Sequence, residues 1–206
     1  MDSIIFDLDG TLWDSREVLV EAWNQVLKEN DVQRELTKDD VKSVMGLQQQ
    51  EIGQTLFPEL SSDQQQDLLR QFSTAECKQL RVQGGQLFEE LETVLKELEK
   101  HYQLFIVSNC QEGYIESFYA YHELDKHFRD FENPGRTGLT KGENIQLVME
   151  RNGLKNPVYV GDTEGDHKAA KSAGVPFVYA AYGFGEVSGY DHSIDKLEDL
   201  LELFVK

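Results

Sequence analysis

Two hydrophobic rhythms run along this chain, and the points where one gives way to the other divide it. Ile4-Ile5-Phe6 passes without a break into Asp7-Leu8-Asp9-Gly10-Thr11. A run apolar on both faces predicts a strand over residues 3–8, buried in the middle of a sheet. Gly10 favours a sharp turn at its end. Val18, Leu19, Ala22, Trp23, Val26 and Leu27 then recur at helical spacing, predicting a helix from Ser15 to Lys28 with Asp14 or Ser15 as its cap. Residues 37–83 hold more helix and no convincing strand. One helix starts at Thr37-Lys38-Asp39-Asp40, and one covers 48–56 before Pro58. A third opens at Ser61-Ser62-Asp63 and runs toward Leu80.

The pattern changes at Gly84-Gly85. Leu87, Leu91, Val94, Leu95 and Leu98 make a helical stripe, and Leu104-Phe105-Ile106-Val107 is a buried-strand run leading into Ser108-Asn109. A helix over 112–120, a short strand over 128–132 and a turn at Asn133-Pro134-Gly135 follow. A helix over 141–152 ends at Gly153. Pro157-Val158-Tyr159-Val160 is a strand that delivers Gly161-Asp162. Beyond it come a helix over 164–173, a strand over Val175–Tyr179, a Gly-rich loop and a last helix over 194–204. Strand and helix thus alternate from residue 85 onward. That alternation predicts an α/β fold, a doubly wound parallel sheet with right-handed crossovers. Residues 15–83 interrupt it after the first strand as a smaller all-helical insertion. Residues 1–14 and 84–206 would form the α/β core.

Charge narrows the partners. With 38 acidic against 20 basic residues the net charge is −18. Nucleic acid and anionic membrane surfaces would be repelled, so an anionic substrate would need positive charge supplied locally. The two cysteines, Cys77 and Cys110, have no metal-site spacing, which suits a reducing cytoplasm. The first strand begins too soon after Met1 to leave room for a signal peptide, and no apolar run approaches the length of a membrane span. Nothing in the pattern demands an oligomer, and a monomer is expected.

The candidate chemistry sits where strands end. In a parallel sheet the carboxyl ends of all strands share one edge, where open α/β folds keep their ligands. Asp7 and Asp9, Ser108 and Asn109, and Asp162 with Asp166 would therefore converge. Each group also has a plain structural reading: a capped turn, a helix N-cap, and a cap with a first-turn acid. Three or four carboxylates on one edge need a hard cation, however, and oxygen ligands beside phosphate favour Mg²⁺ over Zn²⁺. Lys141 opens a helix, where its charge opposes the dipole. It is the best-placed fixed cation for a dianion among carboxylates. Cys110 has no His or Lys nearby to activate it, and His167 reads as a surface residue.

Taken together, Asp7-Leu8-Asp9-Gly10-Thr11, Ser108, Lys141 and Gly161-Asp162-Thr163-Glu164-Gly165-Asp166 resemble the four motifs of the haloacid dehalogenase-like hydrolases, in order and spacing. The helical insertion resembles the cap that family places between its first and second motifs. The nearest subgroup is phosphoglycolate phosphatase-like and β-phosphoglucomutase-like. The resemblance implies a Mg²⁺-dependent phosphatase acting on a small phosphate ester. Asp7 would be the nucleophile, and Asp9 the general acid and then base. Mg²⁺ would be held by the Asp7 carboxylate, the Asp9 backbone carbonyl and the Asp162 carboxylate, with Asp166 supporting its waters or positioning Lys141. Gly10-region amides, the Thr11 hydroxyl, Ser108, Asn109 and Lys141 would hold phosphate oxygens. Asp9 favours a phosphatase over a dehalogenase, which needs no proton shuttle there. A phosphosugar mutase shares all four motifs. A receiver-like phosphorylation switch would lack both the insertion and Asp9. The chain departs from the family's usual pattern at Val82-Gln83-Gly84-Gly85 and at Thr140-Lys141-Gly142-Glu143-Asn144, which lacks the frequent Lys-Pro. Gly46-Leu47-Gln48-Gln49-Gln50 falls at the family's specificity loop, making Gln48 and Gln49 candidate specificity residues without a cation for a second anionic group.

Overall fold

The structure is a computed structural model, and it describes residues 1–205. Strand β1 (Ser3–Phe6) is buried along its whole length, with Ile4, Ile5 and Phe6 fully inaccessible. Ile4 and Phe6 face one apolar cluster and Ile5 the other, so both faces of the sheet are covered. Strand β2 (Trp13–Asp14) leaves the core, and four helices follow: α1 (Arg16–Glu29), α2 (Lys38–Val44), α3 (Gln49–Leu56) and α4 (Ser62–Gln83). Trp23 of α1 stacks on Phe72 of α4 with ring centroids 4.9 Å apart, and Phe57 leans on the same ring. Thr37 and Ser61 open α2 and α4 with reciprocal capping boxes, the local signal their sequences carry.

The chain returns through β3 (Gln86–Leu87), which pairs antiparallel with β2, Trp13 opposite Leu87. Two residues on each side are too few to show a period, so this small ladder has no sequence signature. Gly84 and Gly85 make the return possible. Gly84 has φ +68°, and a Cβ there would stand 2.2 Å from the Tyr121 ring. One on Gly85 would stand 2.7 Å from Trp13.

The remaining elements are α5 (Leu91–Leu98), β4 (Gln103–Val107), α6 (Tyr114–His122), β5 (Asp130–Glu132), α7 (Pro134–Thr137), α8 (Lys141–Asn152), β6 (Pro157–Gly161), α9 (Glu164–Ala173), β7 (Phe177–Ala180), β8 (His192–Ile194) and α10 (Asp199–Phe204). A 3₁₀ turn at Asp125–His127 precedes β5. The sheet is six-stranded in the order β5-β4-β1-β6-β7-β8, and every pairing in it is parallel. The mostly parallel sheet with helices on both faces is the α/β architecture the alternation predicts. Three local differences stand out. Asn133-Pro134-Gly135 is not a bare turn but the start of α7, with Asn133 as N-cap and Pro134 at the first helical position. The stripe from Leu87 becomes helical only at Leu91. The last helix starts at Asp199, because residues 192–194 form an edge strand in which only Ile194 is buried. Among the described residues, no helix is long and apolar enough to cross a membrane.

Candidate active site

β1 lies between β4 and β6, with Phe6 in register with Ile106 on one side and Val160 on the other. The strand order reverses direction here, and the crevice beyond such a reversal is where ligands bind. The residues that follow these three strands are Asp7, Ser108 and Asp162, all buried. The parallel register carries three sequence-distant groups to one point.

Lys141 joins them from the first turn of α8. Its Nζ lies 2.8 Å from Asp7 Oδ1 and 2.6 Å from Asp166 Oδ1, and all three side chains are almost wholly buried. Asp166 is saturated. Its Oδ2 accepts from the Thr163 amide at 3.0 Å and hydroxyl at 2.6 Å, closing the capping box of α9, while Oδ1 also faces the Tyr159 hydroxyl at 3.3 Å. The residue that closes this capping box therefore also aims the lysine. Burial opposes ionisation of Asp166, but Lys141 and the Thr163 bonds outweigh it and hold the carboxyl below its usual range. Burial disfavours the Lys141 ammonium too, and Asp166 and Asp7 outweigh that in turn, keeping it charged. Asp7 is raised above its usual value by burial and then by the charge of Asp166, against Lys141 and Ser108.

Asp162 differs in having no ion-pair partner among the described residues. Its Oδ2 accepts the Phe184 amide at 2.7 Å, and its Oδ1 is buried with no hydrogen-bond partner. Burial, then the charges of Asp166 and Asp7, push it well above the normal carboxylate range. One oxygen each from Asp7, Asp162 and Asp166 lies within 4.8 Å of the others. An orphaned buried oxygen among converging carboxylates fits a small hard cation, with Asp7 and Asp162 the residues free to hold it. Gly10 makes room for this. Its φ is +79°, and a Cβ there would fall 2.1 Å from Asp162 Oδ2.

Asp9 sits in different surroundings. Its Oδ1 accepts from Ser15 Oγ at 2.5 Å and faces the Tyr114 hydroxyl at 3.1 Å, and that hydroxyl lies 2.9 Å from Ser15 Oγ. Burial pushes the Asp9 carboxyl up to about 7; the Ser15 bond opposes this and the charge of Asp7 adds to it. At neutral pH it both holds and releases a proton, as a general acid–base requires. The Ser15 and Tyr114 contacts were not expected from sequence. Tyr114 stands beside Ile115 and Phe118 in a helix whose spacing reads simply as core.

The phosphate-facing candidates are distributed unevenly. Thr11 Oγ1 is buried and unpartnered. The Gly10 N–H, expected to face phosphate, instead donates to Trp13 O at 2.9 Å within the turn. Asn109 Nδ2 donates to Gly46 O at 2.8 Å, tying the β4 loop to the helical segment and leaving Asn109 Oδ1 buried without a partner. Gln48 and Gln49 line a cleft of about 300 Å³ together with Asn109 and Gln111, and none of the site's carboxylates is among its lining residues. Cys110 has its thiol pushed far up by burial and the charges of Asp9 and Asp7, which makes it inert. His167 stacks on Phe177, with ring centroids 5.5 Å apart.

The chain is similar to known proteins in sequence and in fold. A phosphoglycolate phosphatase of Vibrio parahaemolyticus is 29% identical over 218 aligned positions, covering 97% of this chain and 94% of that protein. The solved structure of a haloacid dehalogenase-like family hydrolase from Streptococcus pneumoniae superposes with a TM-score of 0.86 at 23% identity, covering 99% of this chain and 98% of that one. A predicted phosphoglycolate phosphatase from Haemophilus somnus does so with a TM-score of 0.85 at 24% identity, covering 98% and 97%. At that identity the two structures speak to the fold. The family model described as haloacid dehalogenase-like hydrolase matches residues 4–180, from the first buried strand to the end of β7, and the chain belongs to that family.

Proposed function

We propose that the chain is a Mg²⁺-dependent phosphomonoesterase that hydrolyses a small phosphorylated metabolite through an aspartyl-phosphate on Asp7. The observation that carries this reading is the pairing of two aspartates with opposite roles two residues apart. Asp7 is held beside the Lys141 ammonium at 2.8 Å, while Asp9 accepts from the Ser15 and Tyr114 hydroxyls and is raised by burial to about 7. The family match and the relatives named as phosphoglycolate phosphatases support phosphate-ester chemistry.

In the first half-reaction an Asp7 carboxylate oxygen attacks phosphorus in line, the bond to the leaving oxygen breaks, and Asp9 gives its proton to the departing alkoxide. In the second, Asp9 takes a proton from the incoming water. Water oxygen bonds to phosphorus, the bond to Asp7 breaks, and inorganic phosphate leaves with Asp9 protonated again. Lys141 stays charged throughout, offsetting negative charge on the transferring group, with Asp166 holding it in place. Ser108 and Thr11 supply hydroxyl donors to phosphate oxygens. The Asp7 and Asp162 carboxylates and the Asp9 backbone carbonyl would hold Mg²⁺, with Asp166 supporting its waters, and the ion would further neutralise the phosphoryl charge. Residues 15–83 act as a cap that screens the reacting groups from water, with residues 1–14 and 84–206 as the core that carries them. The partner is a small phosphate ester, and a cytoplasmic monomer is the expected form.

The test is a panel of phosphorylated metabolites and a simple aryl phosphate, assayed with Mg²⁺ and with excess chelator. Release of inorganic phosphate that depends on Mg²⁺ supports the reading. Transfer of phosphate within a sugar without release would replace it with a mutase.

A further inference from the structure

Asp162 is the least supported carboxylate of the site. Asp7 and Asp166 are held by the Lys141 ammonium, and Asp166 also by the Thr163 amide and hydroxyl. Among the described residues Asp162 has one donor, the Phe184 amide, 2.7 Å from its Oδ2. That bond sets which way the carboxylate faces and leaves Oδ1 without a partner. A partner that holds one carboxylate oxygen orients the other toward a cation.

The amide belongs to the loop between β7 and β8, and that loop lies directly against the site. The Tyr182 hydroxyl donates to Thr11 O at 2.8 Å. A Cβ on Gly183 would fall 2.3 Å from Asp162 Cβ, and one on Gly185 would fall 2.8 Å from Asp162 O. The backbone on either side of Phe184 reaches Asp162 only because it is glycine. The same two glycines leave the amide between them in a pliable stretch of chain. The Phe184 side chain supplies the anchor that the backbone lacks. Its ring centroid lies 4.2 Å from the carbon of the Arg16 guanidinium, a cation–π contact.

Arg16 is itself fixed. Its Nε and Nη2 form a fork on the Asp14 carboxylate at 2.9 and 2.7 Å, and its backbone amide donates to the same carboxylate at 3.0 Å. It is also the first residue of α1, where a positive charge opposes the helix dipole, as Lys141 does at the start of α8. A continuous path therefore runs from Asp14 at the end of β2 through Arg16, the Phe184 ring and the Phe184 amide to Asp162.

Resting on the reading that Asp162 holds Mg²⁺, we propose that Arg16 and Phe184 are positioning residues for the metal site, and that their contact fixes the amide that aims the Asp162 carboxylate. Both act through Asp162, and both side chains are half-buried, so each can be changed without opening the core.

The experiment titrates Mg²⁺ into the intact chain without substrate and reads the dissociation constant by calorimetry. Arg16→Ala and Phe184→Ala should each weaken Mg²⁺ binding ~10-fold, the lower end of what losing the support of a metal ligand costs. The double variant should be no more than ~2-fold worse than either, because both changes cut one path. Phe184→Tyr keeps the ring and should bind within ~2-fold of wild type. Arg16→Lys retains the charge and loses the fork, so it should weaken binding by a smaller factor and keeps the test readable if an Ala variant folds poorly. The direction of the change separates positioning from charge. In a chain of net charge −18, removing a cation should by electrostatics alone tighten Mg²⁺ binding. Melting in excess chelator reports the fold by itself. A merely structural role would lower the melting temperature and leave the dissociation constant of the folded protein in place. Unchanged or tighter Mg²⁺ binding in Arg16→Ala and Phe184→Ala overturns the inference and leaves the Mg²⁺ reading standing. Effects that multiply to ~10²-fold in the double variant overturn the shared path. Failure of wild type to bind Mg²⁺ overturns the metal reading, and the inference with it.

Discussion

The Tyr114 hydroxyl lies 3.1 Å from Asp9 Oδ1 although 105 residues separate them, and 2.9 Å from the Ser15 hydroxyl that bonds the same oxygen. This contact stabilises the charged carboxylate and so works against the burial that raises Asp9 to about 7. A general acid acts while protonated, so activity falls as pH rises through its pKa. The wild-type kcat/KM profile should fall on its alkaline side near pH 7. In Tyr114→Phe the carboxyl is raised further, and the alkaline limb should move to higher pH. A limb that stays in place or moves down would show that Asp9 is not the titrating acid.

Asp162 makes an opposite pair of predictions for stability. Its carboxyl is raised well above normal, so without a cation the folded state holds its proton more tightly than the unfolded chain does, and this costs stability at neutral pH. For a raised acid, that cost grows as pH climbs from the unfolded-state pKa toward the folded one. Asp162→Asn should therefore melt a few degrees higher than wild type in excess chelator. Wild type should gain stability on Mg²⁺ addition, and the variant should gain little. Thermal unfolding with and without Mg²⁺ measures both.

Lys141→Met removes the one cation between Asp7 and Asp166. Breaking a buried ion pair from one side leaves uncompensated charge and costs about 3–5 kcal/mol. Urea unfolding should show a loss of that order at neutral pH, shrinking toward acid as the carboxylates protonate. Turnover should fall by at least ~10². Activity loss without destabilisation would mean that Lys141 does not neutralise its neighbours in the folded protein.

Glu76 gives a test away from the catalytic groups. Burial pushes its carboxyl up to about 8, with hydrogen bonds from Trp23 and Gln111 opposing, so it folds as the neutral acid. Stability attributable to it should decline between the unfolded-state pKa and about pH 8. Glu76→Gln should flatten that decline while retaining the fold. Unfolding curves at pH 5 and pH 8 for both proteins decide this.

What sequence could reveal follows from how far each signal reaches. Strand ends are readable because Ile4-Ile5-Phe6 and Leu104-Phe105-Ile106-Val107 are apolar on both faces and end in polar groups. A parallel sheet then puts those ends together. The ladder of Trp13 with Leu87 was not readable, since two residues carry no period. Neither were Tyr114, Ser15 and Glu76, whose positions on helices look like core, cap and solvated face until packing brings them together. Gln48 and Gln49 could be singled out by their loop, but the partners of the Gln49, Asn109 and Gln111 amides exist only in three dimensions. The Gly10 amide shows the converse: a donor the motif offers to phosphate is engaged by Trp13 within its own turn.

The central claim is that phosphate passes through Asp7. Rapid acid quench of the enzyme during turnover of a phosphate ester with labelled phosphorus tests it most directly. The account predicts an acid-stable label on the peptide containing Asp7 in wild type. Asp7→Asn should show no label, with phosphate release lowered by at least ~10³-fold. Undiminished phosphate release from Asp7→Asn, or a label on another residue, would contradict it.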